Sequence, residues 1–183
     1  MRAKLFVMTL VTLVALGACK KKQDNDRPVL SMQPEQVSSD STVYGKCVDA
    51  AMHSLAIVND KGDTLFYSLV DANDQQTDVK GGIFLGDKLA VIAQENEDGA
   101  VAKKVINLTT LLGKWTSIDR NFDIKEGGVV ESHVTAESRP YTDWKIVNGR
   151  LVLSADTFEV LDLGPDSLYL ENDTVIYAFK RQV

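Results

Sequence analysis

The sequence predicts an all-β fold of two small consecutive antiparallel modules, five strands and then eight, hung on an N-terminal leader and tether. Three observations predict it. Beyond residue 42 the apolar residues come in runs of about four to nine, shorter than ordinary helices. Turn pairs end those runs, among them Asp98-Gly99, Gly127-Gly128 and Asn148-Gly149, whose members tolerate positive φ. Within the runs side chains alternate. Val175, Tyr177 and Phe179 share one strand face, as do Trp144 and Ile146.

The chain opens with Arg2 and Lys4, an uncharged apolar run from Leu5 to Gly17, and then Leu16-Gly17-Ala18-Cys19. A 13-residue helix rises ~20 Å, short of the ~30 Å hydrocarbon core, so the run suits a secretory signal better than a permanent span. Leu16, Gly17, Ala18 and Cys19 resemble the bacterial lipobox. That resemblance implies a signal peptide over residues 1–18, cleaved to leave a lipid-bearing Cys19 at the mature N-terminus. Acyl chains contribute ~0.8 kcal/mol per buried methylene, so two or three would hold the protein on a membrane. The stretch that follows is charged (Lys20-Lys21-Lys22, Asp24, Asp26, Arg27) and then rich in Ser, Gln and Pro. Residues 19–42 therefore read as a flexible tether. By resemblance to bacterial sorting rules, Lys20 after the cysteine points to the outer membrane of the cell envelope. Lys22-Gln23-Asp24 partly resembles the surface-export signal of Bacteroidetes lipoproteins, so the face of the membrane stays open.

Removing Arg2 and Lys4 from the 20 basic residues leaves 18 against 26 acidic ones, a net charge of −8. That balance disfavours nucleic acid as a partner, because phosphates need a basic face. Besides Cys19 the only cysteine is Cys47, so no internal disulfide is expected. Cys47 reads as a small apolar residue of the first strand.

Residues 43–108 form the first module, with strands expected at Val43–Ala50, Ser54–Asn59, Thr64–Val70, Lys88–Gln94 and Ala100–Leu108. Asp60-Lys61-Gly62-Asp63 and Asn96-Glu97-Asp98-Gly99 supply turns, and a polar loop spans Asp71 to Gly82. Five strands in this length, with Gly86-Asp87 before an apolar strand, resemble an OB-type barrel.

Residues 109–183 form the second module. A helical turn over Thr109–Leu112 precedes strands at Trp115–Ile118, Phe122–Lys125, Val129–Val134, Asp143–Val147, Leu151–Ala155, Thr157–Leu163, Ser167–Glu171 and Thr174–Arg181. Eight consecutive strands with tight connections describe an up-and-down meander. Leu111-Leu112-Gly113-Lys114-Trp115 puts Gly-x-Trp at the start of its first strand, as in lipocalins. The lipocalin resemblance implies that Trp115 plugs the barrel base beneath a basic residue of the last strand, Lys180 or Arg181. Trp144-Lys145-Ile146, Gly149 to Leu153 and Asp166 to Leu170 are similar to small lipocalin-like domains of Bacteroidetes lipoproteins. Strands of four to eight residues reach only ~13–27 Å, a size at which side chains fill a barrel.

No Gly-x-Ser-x-Gly elbow is present, and only His53 and His133 are available as neutral bases. His133 and Glu131 share the outward face of one strand, yet spacing supplies no third ligand. Glu95, Glu97, Asp98, Asp60 and Asp63 fall at hairpin tips, where carboxylates form turns and, less often, hold calcium. No catalytic residue, metal or cofactor is assigned, and the chain is expected not to be an enzyme. Trp144, Tyr141 and Tyr169 are candidate ligand contacts, with Tyr141, beside Pro140, expected to be exposed. Ser41, in Asp40-Ser41-Thr42, resembles the O-glycan acceptor of exported Bacteroidetes proteins. The expectation is a membrane-anchored envelope lipoprotein that binds a small apolar molecule or a glycan. The alternative is an accessory or inhibitor subunit that docks an envelope protein.

Overall fold

The computed structural model describes residues 39–133, 140–173 and 175–182. The expected signal peptide, with Leu16, Gly17, Ala18 and Cys19, and nearly all of the expected tether lie outside them. The fold is all-β, a closed five-stranded barrel followed by a nearly closed eight-stranded one.

The first barrel uses β1 (Val43–Ala51), β2 (Ser54–Asn59), β3 (Thr64–Ser68), β5 (Lys88–Asn96) and β6 (Gly99–Asn107). Each is antiparallel to its neighbours in the order β3-β2-β1-β5-β6, and a parallel contact between Ser68 of β3 and Val101 of β6 closes the ring. This is the strand order of an OB-like barrel. Closing so few strands demands bends, and two occur at bulges, between Cys47 and Asp49 and between Ile92 and Ala93. Cys47, Leu55, Ile57, Leu89, Val91 and Val105 fill the interior.

The polar loop expected from Asp71 to Gly82 contains a further strand, β4 (Asp78–Lys80), parallel to β6. It lies against β12 (Asp156–Leu163) of the second barrel. The Lys80 ammonium donates to the Leu161 carbonyl at 2.7 Å, and Lys104 of β6 pairs with Glu159. Fully buried Asn107 anchors the passage between the barrels. Its amide donates to Asp87 at 2.7 Å and to the Gly82 carbonyl, while its oxygen caps α1 (Leu108–Leu111) by accepting from Thr110 N–H at 2.9 Å. Ala90 and Ile106 of the first barrel belong to the core cluster of the second, so Ser38–Val183 forms one compact unit.

The second barrel is a meander of β7 (Gly113–Thr116), β8 (Asn121–Lys125), β9 (Val129–Ser132), β10 (Trp144–Val147), β11 (Arg150–Leu153), β12, β13 (Ser167–Glu171) and β14 (Ile176–Arg181). All neighbours are antiparallel, and β14 returns to β7. The remaining gap, between β9 and β10, is crossed by a bridge from Val129 to Asp143 and by Val130 N–H donating to the Thr142 carbonyl at 3.0 Å.

Candidate functional site

The base of the second barrel is built around Trp115. Its indole is fully buried, and its N–H donates to the Leu111 carbonyl at 2.8 Å. In β14 the buried face runs through Phe179, so alternation turns Arg181 inward beside it and leaves Lys180 exposed. Arg181 pairs with Trp115 across the strands, and its guanidinium lies 4.2 Å from the indole centroid. The same guanidinium donates to the carbonyls of Leu112 (2.6 Å), Thr110 and Pro165. Burial pulls its pKa below the usual arginine value, with Asp166 opposing. Gly113 has φ +128°, and a Cβ there would run into the Arg181 guanidinium. Gly113, Trp115 and Arg181 are thus one structural lock.

Side chains fill the barrel interior. Phe122, Phe158 and Phe179 pack with Tyr141 and Tyr177 in a chain of ring contacts with centroids 5.1–6.5 Å apart. Leu151, Leu153, Val160, Leu168 and Leu170 close the rest. Tyr141, beside Pro140, is expected from the sequence to be exposed, but it is only 5% exposed, with Arg120 stacked 4.6 Å from its ring centroid. The reason is the gap between β9 and β10, which the ring fills edge-on against Phe122 and Phe158. Trp144 is half-buried and donates to the Lys125 carbonyl at 2.7 Å. Only Tyr169 of the three candidate contacts faces solvent.

An open groove of about 1160 Å³ lies instead on the first barrel, between β3 and the β5–β6 hairpin. β3 pairs with β2 along its whole length but forms a ladder pairing with β6 only at Ser68. In an antiparallel strand alternate N–H and C=O groups point away from a given neighbour, so the β3 edge beside the groove, at Phe66 and Tyr67, is one that no strand pairs. Phe66 stands there 72% exposed. Val70, Ala100 and Val101 add apolar lining, and Glu95, Glu97 and Asp98 form an acidic rim. Burial and the nearby Glu95 carboxylate both push the Tyr67 hydroxyl above its ordinary pKa. Asp71, also on the lining, is engaged with Lys103 at 3.2 Å.

By sequence those three acids are turn formers, and nothing local joins them to Phe66, about 30 residues away. The signal was weak, because Phe66 sits between Leu65 and Tyr67 and only its outward parity, opposite to Tyr67, sets it apart. Cys47 is buried, and burial followed by the Asp87 charge raises its thiol pKa. His53 sits exposed at the β1–β2 turn, and His133 is exposed just past the end of β9, which stops at Ser132. Ser41 is exposed, and its N–H and hydroxyl both donate to Asn148 Oδ1. The chain has no match among protein-family models, curated proteins or solved structures.

Proposed function

We propose that this chain is a lipid-anchored, non-enzymatic binding module of the bacterial envelope that docks an extended, cationic segment of a protein partner. The groove on the first barrel carries the reading. It combines an unpaired strand edge, an exposed aromatic ring and an acidic rim. An edge offers main-chain hydrogen bonds to an added strand, side-chain pockets give selectivity, and the carboxylates favour a basic partner. The filled interior of the second barrel favours this reading over capture of a small apolar molecule there. The lipobox at Leu16–Cys19 and the charged tether support the anchor, with the outer membrane as its site.

Selection from a displayed library of extended peptides tests the recognition. Lysine- and arginine-rich sequences with apolar residues should be enriched on the wild-type protein and lost on the E95K/E97K/D98K variant. Enrichment indifferent to that charge reversal, or a stoichiometric lipid or glycan recovered by extraction, would refute the protein-docking reading. For the anchor, Cys19→Ala should move the protein from the membrane to the soluble fraction.

A further inference from the structure

The outward face of the β8–β9 pair carries a cluster that the groove does not use. β8 alternates buried Phe122 and Ile124 with outward Asn121, Asp123 and Lys125. The register sets Asp123 directly opposite Glu131 of β9. Two residues on, His133 N–H donates to the Asn121 carbonyl at 2.8 Å, which aligns His133 with Asn121 in the same outward row. One ligand atom from each of Asp123, Glu131 and His133 lies within 4.8 Å of the others. Beside them, Asn121 Oδ1 is buried with no hydrogen-bond partner. A buried acceptor left unmatched is uncommon and calls for a partner.

We propose that Asp123, Glu131 and His133 form a binding site for a divalent transition metal of the zinc class. The donor set decides the class. Calcium and magnesium take oxygen ligands, whereas one imidazole nitrogen with two carboxylate oxygens suits zinc and its neighbours. Ligand bonds of ~2.0–2.2 Å put donor atoms of a tetrahedral shell a little over ~3 Å apart, so small rotations at the side-chain tips complete the site. Paired strands hold the backbone at Asp123 and Glu131, and the N–H bond to Asn121 holds it at His133, just past the end of β9.

Lys125 is the resident competitor. Its ammonium lies 2.6 Å from Glu131 Oε2, and a metal ion must displace it or use the other oxygen. The orphaned Asn121 oxygen gains a role, since the second ring N–H of a metal-bound histidine ordinarily donates to an outer-shell acceptor. Three protein ligands leave a fourth position for water or for a group of a docked partner.

Zinc titration by calorimetry tests the site on the untagged chain from residue 19, with Cys19→Ser to remove the lipid. One equivalent should bind. His133→Ala and Asp123→Asn should each weaken binding by more than about tenfold, and Asn121→Ala by a smaller factor. Lys125→Ala should tighten it, and His53→Ala should leave it unchanged. Circular dichroism of each variant separates lost ligation from lost folding. No saturation by zinc, a calcium response without a zinc response, or binding that folded His133→Ala retains in full would overturn the assignment.

Discussion

Replacing Arg181 by alanine strikes the lock at the base of the second barrel. The change removes a cation stacked 4.2 Å from the Trp115 centroid and three hydrogen bonds to the carbonyls of Leu112, Thr110 and Pro165. A cation–π contact of this kind contributes ~0.5–2 kcal/mol. Each hydrogen bond adds ~0.5–1.5 kcal/mol net, and the lower half applies because Arg181 is only half-buried and water can reach some of the freed carbonyls. The expected loss is about 3–4 kcal/mol, a drop in Tm of roughly 6–16 °C at ~2–4 °C per kcal/mol. Urea unfolding of the chain from residue 19 carrying Cys19→Ser, followed by tryptophan fluorescence, measures it directly. Arg181→Lys keeps the charge but lacks the planar fork, so it should lose about half as much. Lys180→Ala, one residue away and exposed, should stay within about 0.5 kcal/mol of the parent. A loss below about 1 kcal/mol for Arg181→Ala, or one no larger than that of Lys180→Ala, refutes the reasoning.

Gly113→Ala should cost about 2–4 kcal/mol, because it strains a positive-φ position and drives a methyl into the guanidinium. Combined with Arg181→Ala, its cost should fall below additivity, and equal costs in both backgrounds would contradict the contact. The Asp71 carboxyl is held below its usual value of 3.8 chiefly by N–H donation from Asn73 and Gln75, with burial opposing and Lys103 assisting. The stabilisation of that loop is therefore present above the unfolded value and lost as pH falls through the folded one. Amide resonances of Asn73 and Gln75 should titrate with a midpoint below 3.8, and a midpoint at or above it contradicts the bonding. Cys47, buried and with its thiol pKa raised, should react with an aromatic disulfide more than about 100-fold faster in denaturant than in the native state. Native reactivity equal to that of free cysteine contradicts this.

The strands were legible because their alternation and turn residues are local properties. β2 and β13 have the bounds their sequences suggest, and Arg181 rather than Lys180 follows from continuing the parity of Val175, Tyr177 and Phe179. What escaped depends on partners distant in sequence. β4 reads as loop because Asp78-Val79-Lys80 shows no apolar alternation, and it is a strand only because β6 offers it an edge. Tyr141 beside Pro140 reads as exposed because nothing local records the gap between β9 and β10. The groove joins Phe66 to Glu95, Glu97 and Asp98, and the metal-ligand cluster joins Asp123 to Glu131 and His133. Each set is assembled by a strand register that spacing along one strand does not encode.

Photo-crosslinking in living cells of the native host tests the docking groove most directly. A photo-reactive residue at Phe66, compared with one at Tyr169 on the other barrel, should yield a discrete protein adduct, and E95K/E97K/D98K should abolish it. No adduct from position 66, or an equally strong adduct from position 169, would contradict the account.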